Sequence, residues 1–369
     1  MPLLSLSLAR HLGPALGPLR ALVAGGWLRE PELDCLLRRV HPVLRLNRVF
    51  ARVESRRWVA DDMLALGLRT NGNARGWRPG QHVRLYQELA GVRHGRSYSL
   101  LAAEADGCIE VAVKRQPEGR LSPWLLDRLA VGSVLELELD PAQGELVWPT
   151  DAASVLLLAA GSGITPLLGL LRQALARGFS APVTLLHYVR QRGQRAFSEE
   201  LQALMRSHPN LQARWAISGE APLADELAGR FQAEHVAGLP AHSLLACGPH
   251  GFVEGVRDWW QASPRDGRLQ LEAFTPPPQI SGSGTAVRLR FARSHRELPG
   301  SSAVNLLDQA ESHGLRPPHG CRQGICIGCT CQLLAGSVRD LRTGAVTAGP
   351  GLPIRLCVSA PLGDVELEL

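Results

Sequence analysis

Lysine is almost missing from this chain. Of the 40 lysines and arginines in 369 residues, only Lys114 is a lysine, so the formal charge of +6 is carried by guanidinium groups. Aromatic side chains make up only 5% of the residues, and no recognised binding motif accompanies the positive charge. That excludes a basic, stacking platform for nucleic acid. The surplus suits an acidic partner or an anionic membrane surface. A secretory signal pattern is also lacking, so the eight cysteines are expected as free thiols in a reducing compartment. Residues 152–171 carry no charge over about the length of a membrane span. Gly161-Ser162-Gly163 and Thr165-Pro166 interrupt that window, which reads instead as a buried strand followed by a helix.

What is present falls into segments of different periodicity. Residues 1–45 are apolar and basic, with no acid before Glu30, and prolines and glycines cut them into short helices. A helical extension packed on the next domain is favoured over a membrane-facing surface. Residues 46–150 alternate as short strands (48–53, 63–69, 82–86, 97–101, 109–114 and 134–139) with one helix at 121–130, which predicts a small antiparallel β-barrel. From 151 to 275, strands and helices alternate as in a parallel α/β sheet, with a helix expected at 223–235. Pro276-Pro277-Pro278 opens a linker over 276–284. Residues 285–369 predict a small mixed sheet packed on one helix at 302–313, with strands at 287–292, 332–335, 354–359 and 365–369.

Chemistry concentrates in a few strings. Arg96-Ser97-Tyr98-Ser99 puts a planar fork suited to pyrophosphate two residues before a tyrosine able to lie on an aromatic ring system. Gly119-Arg120-Leu121-Ser122 opens a helix whose free N–H groups and hydroxyl form an anion site, although Ser122 also reads as an ordinary N-cap. Gly161-Ser162-Gly163-Ile164-Thr165-Pro166 is a glycine turn at a helix N-terminus, beyond the carboxyl end of a strand, where such sheets bind ligands. Cys247-Gly248-Pro249-His250-Gly251 follows a later strand of the same sheet, and Cys247 also reads as a small buried residue. Arg190, Arg192 and Arg195 follow the second strand, where the 2′-phosphate of a nucleotide would lie.

Near the end, Cys321, Cys326 and Cys329 are spaced C-x4-C-x2-C, and Cys357 follows after 27 residues. This is the plant-type spacing for a [2Fe–2S] cluster held by four thiolates. Gly320, Gly324 and Gly328 let the loop wrap closely and aim backbone N–H groups at sulfur. Cys331 competes with Cys357 for the fourth place, but two residues from Cys329 is an awkward reach. A zinc site would usually show paired C-x2-C knuckles. A zinc-stabilised, nucleotide-binding regulatory module is the alternative of another class, and it predicts a colourless protein.

Arg96 to Ser99, Gly119 to Ser122, Gly161 to Pro166 and Cys247 to Pro249, in this order, resemble the ferredoxin-NADP reductase superfamily. The cysteine stretch resembles a plant-type ferredoxin domain fused C-terminally. The resemblance implies an FAD-binding β-barrel, an α/β nucleotide domain and a β-grasp-like α+β [2Fe–2S] domain. It implies that Arg96, Tyr98 and Ser99 contact FAD, with Gly119 and Ser122 at its pyrophosphate. Gly161, Gly163 and Thr165 would bind NADPH or NADH, aided by Arg190 and Arg195, with Cys247 and Gly248 beside the nicotinamide. Phe274 would cover the flavin ring. Tyr98, Ser99 and Cys247 are the residues expected nearest the reaction. The implied activity moves electrons from NAD(P)H through FAD and a [2Fe–2S] cluster to an external acceptor protein, in the cytoplasm or at the inner face of its membrane.

The strings Gly91-Val92-Arg93-His94, Cys247 to Val253 and Gly320 to Cys331 look most like bacterial reductases serving membrane fatty-acid desaturases or di-iron hydroxylases. The reductase component of a Rieske-type or soluble oxygenase is the second reading. Two departures stand out. Gly219 lies where NADPH-specific relatives often carry arginine. From residue 285 onward nine arginines face seven acids, so docking through an acidic ferredoxin surface is not expected.

Overall fold

The computed structural model describes residues 15–74, 76–89, 91–139, 146–262, 267–275, 284–320, 322, 324 and 327–369, without the side chains of Val92 and Leu139. They form two compact units, one of residues up to 248 together with 255–272, the other of 249–254 and 273–369.

The first unit begins with helices α1 (Gly17–Ala24) and α2 (Glu30–Val40). Both are pinned through one backbone residue: the Arg20 guanidinium donates to the Leu46 carbonyl, and the Leu46 N–H donates to buried Asp34 at 2.7 Å. Strands β1 (Val49–Ala60), β2 (Met63–Thr70), β3 (His82–Leu89), β4 (Val92–Ala103), β5 (Cys108–Lys114) and β6 (Val134–Leu139) close an antiparallel barrel in the order β1-β2-β5-β4-β3-β6. Alternate side chains such as Val53, Leu66, Val83, Leu85, Leu100 and Val111 fill its core, and the short helix α3 (Leu121–Asp127) adds Leu121 and Leu125. The expected helix thus stops three residues early, at Asp127, with Arg128 as its C-cap.

A six-stranded sheet follows in the order β10-β9-β8-β7-β11-β12. Its strands are β7 (Val155–Ala160), β8 (Val183–Val189), β9 (Leu211–Ile217), β10 (Leu227–Ala228), β11 (Ser243–Gly248) and β12 (Arg268–Ala273). Every residue of β7, β8 and β11 is buried, the mark of parallel strands covered on both faces. Helices α4 (Ile164–Ala176), α5 (Ser198–Ser207) and α6 (His250–Gln261) connect them. The uncharged window is therefore β7, a 3-10 turn and part of α4, and no described helix is long and apolar enough to cross a membrane. Helix α4 packs on the barrel through Gly169, where a Cβ would lie 2.7 Å from the Leu100 carbonyl oxygen.

The helix expected at 223–235 does not form. Glu226 turns back to accept the Leu223 N–H, β10 pairs with β9, and Gly229 at φ +84° breaks the path before a 3-10 turn at Ala233–Val236. The Glu226 side chain has a stronger partner than helical neighbours would offer, since Arg192 and Arg195 both donate to it.

In the second unit, β13 (Ala286–Phe291), β14 (Arg296–Ser301), β15 (Thr330–Ala335), β18 (Leu352–Arg355) and β20 (Val365–Leu367) form a mixed sheet in the order β14-β13-β20-β15-β18. A smaller sheet joins β16 (Ser337–Asp340), β17 (Val346–Ala348) and β19 (Ser359–Pro361). Strand β14 was unforeseen because Pro299 reads as a breaker; it is tolerated on an edge strand. Helix α7 (Leu306–Ser312) starts later than expected because Asn305 caps it, accepting the Asp308 N–H at 2.8 Å. The strand expected at 354–359 is split into β18 and β19, with Cys357 in the turn between them. A barrel, a parallel nucleotide sheet and a small mixed α+β domain are thus the architecture expected from the sequence.

Candidate functional site

Arg96, Tyr98 and Ser99 lie along β4, opposite Leu85, Val83 and His82 of β3. Tyr98 leans on the barrel core, and burial pushes its hydroxyl pKa well above the ordinary range. Arg96 is exposed and donates to the Gly95 carbonyl at 2.7 Å, leaving most of its fork open. Ser99 is buried, with its Oγ 3.3 Å from His82 Nδ1. His82 Nε2 in turn lies 2.5 Å from Glu272 Oε1 on β12, and both side chains are almost fully buried. This hydroxyl–imidazole–carboxylate line was not foreseen. Its members stand at 82, 99 and 272, and only strand pairing brings them together.

Gly119 is folded tightly against the same barrel. A Cβ there would lie 3.0 Å from Gln116 Cβ and 3.1 Å from Ser122 Oγ. Ser122 is not the N-cap of α3. Arg120 takes that position, and the Ser122 hydroxyl accepts the Gln116 N–H at 3.0 Å. The hydroxyl hydrogen remains available to an anion.

Gly161 and Gly163 form the 3-10 turn between β7 and α4. Gly161 is left-handed at φ +55°, and a Cβ on Gly163 would come within 2.0 Å of the Cys247 carbonyl oxygen. Only glycine lets the turn lie against the end of β11, which draws Gly161, Gly163, Cys247 and Gly248 together. Thr165 Oγ1 donates to the Ser162 carbonyl at 3.0 Å, holding the first turn of α4. Cys247 is fully buried. Two basic side chains meet the same turn without having been expected there. His187 Nε2 stands 3.0 Å from the Gly161 carbonyl oxygen, and burial lowers its pKa to about 4. Lys114 Nζ lies 3.3 Å from where a Gly161 Cβ would stand and 3.5 Å from Asp62. The available signal was its rarity.

The three loop arginines divide. Arg192 pairs with Glu226 and Glu220, while Arg195 pairs with Glu226 and sits over the Trp215 ring. Hydrogen bonding from Arg192 holds the Glu226 carboxyl below its usual pKa. Arg190 is exposed at the end of β8 and has no ion-pair partner among the described residues. Its stem crosses Gly219, where a Cβ would lie 2.7 Å from Arg190 O and 2.8 Å from Arg190 Cγ. Phe274 follows β12, half-buried, in the second unit.

Of the cluster residues, Cys321 and Cys326 lie outside the described residues. Cys329 and Cys357 are buried in the core of the second unit, without a disulfide. The Gly324 N–H points at Cys357 Sγ, 3.3 Å away, as a thiolate ligand needs. Cys331 sits on β15, where burial pushes its thiol up to about 11 and its Sγ faces the Gln332 carbonyl. That environment suits a protonated core thiol rather than a ligand.

Three family models match in order: the oxidoreductase FAD-binding domain over residues 51–146, the oxidoreductase NAD-binding domain over 157–258 and the 2Fe-2S iron-sulfur cluster binding domain over 290–362. The last assigns iron and sulfur, not zinc, to the cysteine loop. The chain is 31% identical over 346 residues to the NADPH oxidoreductase of Mycobacterium tuberculosis (strain ATCC 25618 / H37Rv), covering 91% of this chain and 88% of that protein. It is also 31% identical to the 3-ketosteroid-9-alpha-monooxygenase ferredoxin reductase component of Mycobacterium tuberculosis (strain CDC 1551 / Oshkosh), covering 78% and 84%. The solved phthalate dioxygenase reductase superposes with a TM-score of 0.58 at 23% identity, over 87% of this chain and 97% of that one. Domain order, barrel, parallel sheet and cysteine loop agree with these relatives, and the chain belongs to the ferredoxin-NADP reductase superfamily, as an NAD(P)H-dependent oxidoreductase with FAD and a C-terminal [2Fe–2S] domain.

Proposed function

We propose that this reductase serves an oxygen-activating metalloenzyme: an oxygenase component, di-iron hydroxylase or fatty-acid desaturase. The observation that carries this reading is the likeness over most of the chain to a reductase named as part of a monooxygenase. When bound, FAD accepts a hydride from NAD(P)H and releases electrons singly, and the cluster carries one electron at a time. The chain's own residues position, shield and neutralise. Arg96, Gly119 and Ser122 receive the flavin pyrophosphate, and Tyr98 lies against its ring. Gly161, Gly163 and Thr165 take the nucleotide pyrophosphate, with Lys114 as a further cation, while Cys247 and Gly248 border the nicotinamide. Ser99 donates a hydrogen bond to the flavin, and His82, held against Glu272, positions the Ser99 hydroxyl from behind. Cys321, Cys326, Cys329 and Cys357 ligate the cluster.

Arg190 is the cation for a nucleotide 2′-phosphate, because Arg192 and Arg195 are neutralised by Glu226. Arg190→Ala should therefore weaken NADPH at least tenfold while leaving NADH within about twofold, on the order of the 1.4 kcal/mol expected of one charge-assisted hydrogen bond. Equal losses for both nucleotides would remove it from that role. The acceptor is tested by anaerobic reconstitution of the reduced protein with purified oxygenase, hydroxylase and desaturase components. Rapid, saturable oxidation by one of them is expected, and slow, unsaturable oxidation by all three would discard the class.

A further inference from the structure

Two guanidinium groups converge on a single peptide oxygen inside the cysteine loop. Arg342 Nη1 donates to the Gly324 carbonyl at 2.8 Å, and Arg355 Nη1 donates to the same oxygen. They arrive from different elements, Arg342 from the turn after β16 and Arg355 from the end of β18. Gly324 is fitted to this place. It is left-handed at φ +70°, and a Cβ would lie 2.8 Å from Val358 Cγ1 and 2.9 Å from Arg342 Cδ. Its N–H is the one directed at Cys357 Sγ.

Arg322, the third arginine of the region, is matched by Glu311 at 2.5 and 2.8 Å and by Asp308 at 3.6 Å. The Asp340 carboxylate accepts the backbone N–H groups of Arg342 and Thr343. The Arg355 guanidinium is directed at the Gly324 carbonyl rather than at a carboxylate.

We infer that Arg342 and Arg355 form a cationic clamp on the Gly324 carbonyl that sets the cluster loop and raises the reduction potential of the cluster. Reduction adds one negative charge to the cluster, and half-buried cations fixed beside its loop stabilise the reduced state more than the oxidised one. Anchoring both to one carbonyl fixes them relative to the residue whose N–H faces Cys357 Sγ. The clamp makes the cluster a better acceptor for electrons from the flavin and a weaker donor to the partner. These are positioning residues, and the inference rests on the assignment of Cys329 and Cys357 as ligands.

The test is a potentiometric titration of the full-length holoprotein, monitored by the electron paramagnetic resonance of the reduced cluster, with iron content measured on each sample. Arg342→Gln and Arg355→Gln should each keep their iron and shift the midpoint potential downward, the double variant further than either. Arg342→Lys and Arg355→Lys, which keep the charge, should stay close to the parent. An unchanged potential in glutamine variants with full iron would overturn the inference, as would lysine variants displaced as far as glutamine ones. Where a glutamine variant sheds iron, its lysine counterpart decides. Iron and a near-parental potential there support the clamp, and iron loss there too overturns it in favour of a shape requirement. Absence of iron from the parent protein would instead refute the ligand assignment itself.

Discussion

Ser99, His82 and Glu272 make a line only about three side chains long, yet it depends on two strands of the barrel and one of the nucleotide sheet. Ser99 was legible because it closes a four-residue string. Its partners were not, because a lone histidine and a lone glutamate on strands look like any alternating polar position. If the line orients the Ser99 hydroxyl toward the flavin, Glu272→Gln should slow NADPH-driven flavin reduction by roughly tenfold in anaerobic stopped-flow, about the worth of one hydrogen bond, with flavin content unchanged. A rate within twofold of the parent would reduce the pair to packing. His187 gives a different residue-scale outcome. Its folded-state pKa of about 4 lies below the ordinary 6.5 because burial opposes the charged ring. Above pH 6.5 the ring is neutral folded or unfolded, and its contribution is intact. As pH falls from 6.5 toward 4 the unfolded chain binds the proton first, so stability declines, by up to about 3 kcal/mol, and then levels off. Thermal melts of the parent should fall more steeply over that window than those of His187→Asn.

At the scale of elements, the strands and most helices were readable from periodicity, because continuous apolar runs mark buried parallel strands and alternation marks the barrel. The misses share one cause, which is a side chain or turn whose partner is distant in sequence. Glu226 leaves a helical pattern to hold two arginines over thirty residues away. Cys357 interrupts a strand and stands in a turn, where its sulfur faces the Gly324 N–H. The glycine turn before α4 and the end of β11 were each expected, but not their contact. Gly163→Ala should destabilise by on the order of 1–3 kcal/mol through forced separation of those segments. It should also raise the KM for nucleotide more than it alters flavin binding. A variant with parental melting temperature and KM would show that the turn can yield.

For the whole molecule, the order of the three functions along the chain was legible from five short motifs, whereas two of the four cysteines expected to hold the cluster lie outside the described residues. The division of labour predicts that Cys326→Ser loses the visible spectrum of the cluster but keeps NADPH-driven flavin reduction. Ferricyanide, a small acceptor that can take electrons at the flavin, should still be reduced at near-parental rates. Reduction of a protein acceptor should drop by at least tenfold. Equal loss of both activities would mean that the cysteine supports the fold of the rest of the chain.

The scarcity of one residue type, combined with where it stands, has a practical outcome. Lys114 carries the only side-chain amine, and it is partly exposed beside Gly161. An acylating reagent therefore has a single internal target, so a dye or cross-linker can be installed beside the Gly161 turn without mutagenesis. Mass spectrometry should find that modification suppressed when NADP⁺ is present, which turns one primary amine into a built-in footprint of cofactor occupancy.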